Sequence, residues 1–346
     1  MLRRQDLGHR VVVRRIVGVR DNRPLFTDSL GELVDLTETH LTLATARGKL
    51  RVPLDEVHRA KRVPAARRPN ATTVVALELA ANEAWPAPVQ ERLGDWLLRA
   101  ADGWTGRANS ALPVGDPDRP LEAAIDAVSR WYADRGQTAM INTPLPLAAP
   151  VGAALDERGW TSRSPVLVQT TPLTALVART PVRADLAEVE LATSPSDEWL
   201  RLAAARKAAH AGVAPGPDPL DLLPAAARHV LTAVDQVRFA HLYAPTGDNY
   251  APTGDNGGKL IAVGRGTVTG AGRWLGLTSI EVVPEARRQG LAQHVIGALG
   301  RWAAERGATD VFLQVEEVNS GAVALYRQLG FTTHHTYLTR VAPPAL

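Results

Sequence analysis

The stretch "PEARRQGLAQHV", residues 284–295, decides the fold prediction. It follows a β-branched apolar run and precedes a helical pattern, so it is interpreted as a turn between a strand and a helix. A helix N-terminus offers unpaired N–H groups and a partial positive charge, and Gly290 lets the backbone approach a ligand closely. Arg287 and Arg288 add positive charge, and the small Ala292 keeps the first helical turn open. The turn indicates a pyrophosphate site; the alternative is an ordinary capped helix with exposed arginines.

Around this turn, short β-branched runs alternate with helical patterns. The patterns predict strands at 237–243, 259–269, 274–283, 310–316 and 332–341, and helices at 196–210, 218–234, 290–306 and 320–329. The preceding part predicts helices at 87–101, 120–135 and 150–158, and strands at 104–112, 137–142 and 164–171. We therefore predict an α/β fold.

A second motif strengthens the interpretation of the turn. It consists of Asn319, Ala322, Leu325 and Tyr326, followed by the dipeptide Gly330–Phe331. Together with Val282, Pro284 and the basic turn, it resembles the two signature motifs of the GNAT acetyltransferase superfamily. The resemblance covers residues 185–341 and implies a mixed sheet flanked by helices.

The resemblance also implies ligands and roles. Acetyl-CoA would be the acyl donor, an amine the acceptor, and no metal would take part. Main-chain amides of the basic turn would cradle the CoA pyrophosphate, Asn319 would reach the cofactor arm, and Tyr326 would protonate the departing thiolate. The main chain of Ile280 and Val282 would pair with the pantetheine arm and polarise the thioester. The implied residues of the turn are Arg287, Arg288, Gln289, Gly290, Leu291, Ala292 and Gln293.

The general base is left open by the sequence. Related enzymes often carry a glutamate on the fourth or the fifth strand, and this chain has Gln314 where some relatives have Glu. Glu281 is our candidate catalytic base, Glu316 is an alternative, and a water chain could also serve. Each carboxylate could instead be a solvated or salt-bridged surface group.

An internal repeat divides the rest of the chain. "RWYADRG" at 130–136 matches "RWAAERG" at 301–307 at an offset of 171, which also pairs Gly159–Trp160 with Gly330–Phe331. We predict a degenerate GNAT-like unit at 72–180 and a catalytic unit at 185–341. At the same offset the basic turn becomes "GDPDRPL", where Pro117 and Pro120 lack the N–H groups that a phosphate needs. In this part, Trp104, Arg107 and Asn109 either line a ligand site or form a well-capped strand end.

Residues 1–65 contain several short alternating runs and predict a small all-β, SH3-like barrel. Residues 1–68 carry 15 Lys/Arg against 8 Asp/Glu, a balance of +7, which leaves 3 − 7 = −4 for the remaining chain. A solvated arginine-rich surface is favoured over a nucleic-acid surface. A barrel followed by two such units resembles an actinobacterial histone-acetyltransferase-like group.

Composition bounds the function classes. The chain has no cysteine, which excludes thiol chemistry and fits a reducing cytoplasm, and no apolar run long enough for a membrane span. We predict a cytoplasmic acetyl-CoA-dependent N-acetyltransferase that acts on a primary amine by direct attack. The alternative is an acyl-CoA sensor without catalysis whose basic barrel docks to nucleic acid or protein.

Overall fold

The computed structural model describes residues 2–20, 23–45, 48–63, 69–210, 218, 220, 223–244 and 258–344. The chain divides into two compact units, 1–68 and 69–346. The strands of the first unit are β1 (Arg10–Arg20), β2 (Arg23–Leu36), β3 (His40–Thr45), β4 (Gly48–Pro53) and β5 (Val57–Arg62). No helix among the described residues is long and apolar enough to cross a membrane.

The first unit is an antiparallel sheet in the order β4-β3-β2-β1-β5. Alternate side chains form its core, including the fully buried Val11, Val13 and Leu43. The all-β prediction is confirmed for this unit. The pairings among its described strands do not join β4 to β5, so barrel closure stays a prediction.

The second unit is an α/β structure. Its strands are β6 (Val89–Leu93), β7 (Trp96–Ala100), β8 (Met140–Leu145), β9 (Thr161–Ser162), β10 (Val166–Pro172), β11 (Glu190–Ala192), β12 (Val237–Tyr243), β13 (Leu260–Thr269), β14 (Trp274–Val282), β15 (Asp310–Glu316) and β16 (Thr332–Val341). Its helices are α1 (Ala71–Ala84), α2 (Leu121–Ala133), α3 (Ala149–Glu157), α4 (Leu173–Arg179), α5 (Asp197–His210), α6 (Ala225–Thr232), α7 (Leu291–Glu305) and α8 (Ser320–Gln328).

One mixed sheet runs through the second unit in the order β11-β12-β13-β14-β15-β10-β16-β8, with β9 against β16. The apolar cluster on one face contains residues of α4 and α7. The opposite face is covered by α1, α5 and α6. We call these the α7 face and the α1 face. The prediction of a mixed sheet flanked by helices is confirmed.

Strands β14 and β15 separate along their length. They pair in parallel only between Trp274–Leu277 and Asp310–Leu313. The β13–β14 register shifts between Val263 and Arg265. Opposite that shift, Ser279 has a positive φ of 52°. A bulge of this kind bends its strand and ends regular pairing, so a gap opens between the carboxyl ends of β14 and β15.

The 171-residue repeat has a physical basis in helix ends. Adding 171 to the bounds of α3 gives 320–328, the bounds of α8. Gly159 and Gly330 both end their helices with positive φ, 73° and 90°. Their partners complete the same capping bonds, since Trp160 donates to the Leu155 carbonyl and Phe331 donates to the Tyr326 carbonyl, each at 3.0 Å. The paired Gly–Trp and Gly–Phe dipeptides are thus equivalent C-caps.

Strand β10 lies away from its sequence neighbours. It pairs with β15 on one side and with β16 on the other, both antiparallel. Strand β16 in turn pairs with β8. A strand of the first repeat segment, β10, thus lies between two strands of the second segment, β15 and β16. In the same continuous sheet, β16 of the second segment pairs with β8 of the first. Whether residues 72–180 and 185–341 act as separate domains stays a prediction.

The helix predicted at 87–101 is wrong. These residues form the hairpin of β6 and β7, turning at Gly94 with a φ of 56°. Pairing beyond the segment overrides its helical spacing, because Leu97 exchanges backbone hydrogen bonds with Leu112. The helix of this region is α1, which begins behind the Asn70 cap and which the pattern did not predict.

Candidate functional site

The basic turn forms a concave row of backbone donors. Arg288 and Gly290 have positive φ values of 68° and 83°, and Gly290 caps α7 without a side-chain hydrogen bond. Within the described part of the chain, no backbone acceptor meets the N–H groups from Arg288 to Gln293. Successive unpaired N–H groups at a helix N-terminus bind anions. Gln289 is exposed, Ala292 is half-buried, and Leu291 is buried and anchors the turn in the core.

Arg183 also reaches this turn, and the sequence did not predict it. A Cβ placed on Gly290 would lie 3.1 Å from Arg183 Nη1. Arg183 is held by Asp185, whose carboxylate accepts from Nε at 2.6 Å. This ion pair lowers the pKa of Asp185 to about 2. The arginine belongs to the irregular stretch before β11, where no sequence period or motif distinguishes it.

The free edge of β14 directs backbone groups into the gap. Val283 donates its N–H to Ile261 of β13 at 3.0 Å. Because the polar groups of successive strand residues point to opposite edges, those of Val282 and Ile280 face the side of β15. Arg287 reaches back along the same edge, and its Nε donates to the Val282 carbonyl at 3.2 Å. The turn and the strand edge are therefore contiguous.

Helix α8 brings the second motif to the same end of the sheet. It follows β15 as α7 follows β14, and the carboxyl ends of parallel strands share one edge. Asn319 caps α8 by accepting from the Ala322 N–H at 3.2 Å, which leaves its amide N–H groups for a ligand. Tyr326 is half-buried and packs edge-to-face on Phe331, with ring centroids 5.8 Å apart.

The carboxylates lie on the other side of the gap. Ile280 and Val282 pack against the core of the α7 face. Since side chains alternate along a strand, Glu281 projects from the α1 face. Gln314, between Leu313 and Val315 of that same core, also projects from the α1 face, and the exposed Glu316 follows it. The structure thus separates the basic turn from both candidate bases.

Arg107 of the first repeat copy contacts Gln314 on the α1 face. Its Nη1 donates to Gln314 Oε1, and the Tyr337 hydroxyl donates to the same oxygen at 3.4 Å. Burial raises the pKa of Tyr337 to about 12. Asn109, by contrast, bonds within its own loop, where its side chain accepts from the Ala101 and Gly103 N–H groups and donates to the Thr105 carbonyl. Of the two alternatives for this loop, Asn109 fits a structural role.

In the matching turn of the first copy, carboxylates accept from two of the backbone N–H groups. Asp116 accepts from the Asp118 N–H at 2.9 Å, and the Asp116 N–H donates to Asp95 at 2.9 Å. Pro117 and Pro120 have no N–H to offer. Two donors of this turn are thus taken by carboxylates, and the two prolines remove two more.

His334 and His335 lie side by side, with their Nδ1 atoms 2.8 Å apart. The alternation of a regular strand predicts opposite faces, and that expectation is wrong. The β10–β16 register shifts at this point, because Val168 pairs with His335 while Gln169 pairs with Thr333. Among the described residues, no group of three or more His, Cys, Asp or Glu could hold a metal ion.

Comparisons with known proteins identify the family of the chain. The family model described as "Probable histone acetyltransferase Rv0428c C-terminal" matches residues 71–339. The probable histone acetyltransferase Rv0428c of Mycobacterium tuberculosis is 31% identical over 340 residues, which cover 95% of this chain and 93% of that protein. The uncharacterized N-acetyltransferase YobR of Bacillus subtilis is 28% identical over 278 residues, or 76% of this chain and 98% of that protein.

Solved structures share the fold. A GCN5-related N-acetyltransferase from Kribbella flavida aligns with a TM-score of 0.51 at 19% identity, covering 81% of this chain and 98% of that one. A tandem GNAT protein from the clavulanic acid biosynthesis pathway aligns with a TM-score of 0.51 at 18% identity, covering 82% and 90%. With a GNAT fold and this family match together, the chain belongs to the family of the Rv0428c C-terminal region and is an N-acetyltransferase of the GNAT type.

Proposed function

We propose that the protein transfers an acetyl group from acetyl-CoA to a primary amine by direct attack in a ternary complex. The observation that carries the proposal is the contiguity of the unpaired donors at Arg288–Gln293 with the free edge of β14. The backbone N–H groups of the turn suit the diphosphate of CoA, and the strand edge suits its extended, amide-containing arm. Acetyl-CoA supplies the acetyl group as a thioester.

Each step has a candidate residue. The turn holds the pyrophosphate through main-chain N–H groups, with Arg287, Arg288 and Arg183 adding charge. The N–H groups of Ile280 and Val282 face the gap and would stabilise negative charge on the thioester oxygen. Glu281, on the acceptor side, takes the proton that the amine loses as its nitrogen bonds to the acyl carbon. Tyr326 gives a proton to the sulfur as the carbon–sulfur bond breaks.

We further propose that residues 72–180 are a degenerate GNAT unit that binds no acyl-CoA. The carboxylate-filled turn at 116–118 supports this, and so does the similarity to a structure named as a tandem GNAT protein. Residues 1–65 would be an SH3-like barrel, and the protein would be cytoplasmic. The acceptor and the oligomeric state are separate questions.

The test is acetyl-CoA binding by calorimetry and CoA release with a panel of amines. Arg288→Glu should weaken acetyl-CoA binding at least about tenfold, because it places negative charge beside the phosphates. Arg119→Glu, in the corresponding turn of the first copy, is the matched control and should leave binding unchanged. Equal affinities of wild type and Arg288→Glu would refute the assignment of the turn.

The alternative function is a sensor that binds acyl-CoA without turnover. The basic composition of residues 1–68 is the feature that favours it. Tight CoA binding with no acetyl transfer to any amine would support it. Salt-dependent binding of the full chain to DNA would identify the docking partner.

A further inference from the structure

Two buried nitrogen donors belong to side chains that contact each other on the α1 face beside the gap, and neither donor has a partner among the described residues. They are Nε of Arg107 and Nε2 of Gln314. The orientation of the Gln314 amide is fixed, because arginine can only donate and its Nη1 meets Gln314 Oε1. The Tyr337 hydroxyl donates to the same oxygen. The amide nitrogen must therefore face away from both, as an unused donor.

The surroundings carry excess positive charge. The guanidinium carbons of Arg107 and Arg265 lie 5.1 and 5.2 Å from the ring centroid of one indole, Trp85. Within the described part of the chain, neither arginine has a carboxylate at ion-pairing distance. Arg265 is fully buried, and each of its three nitrogens donates to a carbonyl oxygen, of Leu231, Ala84 and Val230. Burial and the Arg107 charge lower the pKa of Arg265 to about 9.

The nearby carboxylate, Glu78, attracts Arg107 from beyond ion-pairing distance. Glu78 lies 2.7 Å from the buried His335. Arg99 uses its donors on Ser110 and Asn82. Of Arg99, Arg107 and Arg265, Arg107 is the one whose buried Nε lacks a partner among the described residues. An uncompensated donor in such a place costs stability unless a ligand meets it.

The position of these donors indicates which substrate meets them. Gln314 immediately follows Leu313, the last residue of β15 that pairs with β14. It projects from the α1 face, opposite the α7 core and the phosphate-binding turn. The acyl donor occupies the turn and the gap in the proposed function, so a ligand at Arg107 belongs to the acceptor.

We propose that the acceptor amine carries a carboxylate and that Arg107 and the Gln314 amide bind it. Arg107 is then a specificity-determining residue supplied by the first repeat copy. The inference rests on the proposed acetyl transfer to an amine. Glu281 projects from the same face and would receive the proton of the acceptor's ammonium group. The acceptor would be an amino acid, or a peptide with an acidic side chain close to its amine.

The experiment compares acceptors in matched pairs. In the first set, each pair is an amino acid and its carboxamide, with the amine and carboxyl separated by one to five carbons. In the second set, each pair is a peptide with an acidic N-terminal residue and its Asn or Gln form. Comparing the two sets distinguishes a free amino acid from a peptide as the acceptor. Wild type should favour the acids at least about tenfold in kcat/KM. Arg107→Gln should abolish that preference by raising KM for the acids, and should leave the carboxamides and the KM of acetyl-CoA unchanged. Arg130→Gln, on an exposed position of α2, should keep the preference.

The outcomes separate the inference from the function. Equal turnover of acids and carboxamides by wild type contradicts the carboxylate site and leaves acetyl transfer intact. An equal loss for both classes in Arg107→Gln also contradicts it. No turnover with any amine contradicts the proposed function, and calorimetric titration of the CoA-loaded wild type with the same pairs then decides the inference. Preferential binding of the acids supports it and equal or absent binding refutes it. The wild-type comparison stands if Arg107→Gln does not fold.

Discussion

His335 Nε2 and Glu78 Oε1 lie 2.7 Å apart, and the two side chains are 0% and 4% exposed. The contact joins β16 to α1 and so ties the helix of the first copy to the last strand of the chain. Glu78→Ala should lower the free energy of unfolding by about 3 kcal/mol, because it leaves a buried imidazole without its partner. Chemical denaturation measures this value. Glu157→Gln, on an exposed position of α3, is the control, and an equally small effect of both variants would contradict the prediction.

Position 290 requires glycine because its φ is positive and because Arg183 lies close to it. Gly290→Ala should raise the dissociation constant of acetyl-CoA at least about tenfold, because the Cβ forces the turn out of its left-handed conformation and against Arg183. Calorimetric titration measures the constant. Gly272 has a similar φ of 87° in the β13–β14 turn with open space around it, so Gly272→Ala carries the same backbone cost and should bind normally. Parallel losses in both variants would mean that the effect is one of stability alone.

Tyr326→Phe tests the proposed proton donor. We expect kcat to fall about a hundredfold or more while the acetyl-CoA dissociation constant stays unchanged, since the ring still packs on Phe331. Stopped-flow and steady-state CoA release give the two values. Tyr132→Phe is a matched control, because its hydroxyl donates to the buried Arg99 carbonyl and its loss should cost stability and not kcat. An unchanged kcat in Tyr326→Phe would remove the tyrosine from the mechanism.

Glu281→Gln tests the proposed base against its rival on β15. At neutral pH kcat/KM should fall about a hundredfold, because the acceptor ammonium no longer has a group to receive its proton. The loss should shrink as pH rises, since the amine then loses its proton in solution. Glu316→Gln should retain most of the activity. The reverse result, with Glu316 as the sensitive position, would transfer the role to β15.

Acid should destabilise the protein through His241. This histidine is buried, its Nδ1 lies 3.1 Å from the Phe239 carbonyl oxygen and its Nε2 3.1 Å from the Ser196 hydroxyl. Burial lowers the pKa of His241 below its ordinary value of 6.5. A lowered histidine pKa gives stability that is present above about pH 6.5 and is lost as pH falls through the folded-state value, by at most about 1.4 kcal/mol per pH unit.

Denaturation curves between pH 7 and pH 5 check the effect of acid. The slope of unfolding free energy against pH should be smaller in His241→Gln than in wild type. Burial also lowers the pKa of His334, so part of the slope should survive in that variant. His40→Gln, at a half-buried position of β3, should keep the full slope. Identical slopes in His241→Gln and wild type would contradict the assignment.

Local chemistry explains why the second half of the chain could be predicted. Glycines at helix ends, a basic turn before a helix and an Asn cap are features of neighbouring residues, and they identified α7, α8 and the turn at Arg287–Gln293. The repeat could be detected in the sequence because Gly159 and Gly330 each form the C-cap of a helix, which is also a local feature.

Long-range pairing explains what the sequence did not predict. The hairpin at 89–100 has helical spacing, and its strand character comes from contacts with residues far along the chain. The positive φ of Ser279 has no glycine to mark it. The approach of Arg183 to Gly290, and of Arg107 to Gln314, depends on irregular segments whose paths no periodicity encodes.

The place of β10 limits how this chain can be divided. A truncated chain that starts at residue 185 would keep the basic turn and α8, but β15 and β16 would each lose a neighbour along 166–172. Two unpaired strand edges would then remain where β10 is missing, and unpaired edges can form hydrogen bonds with strands of other chains. The part of the chain that carries the basic turn thus depends on a strand made earlier in translation to cover these two edges.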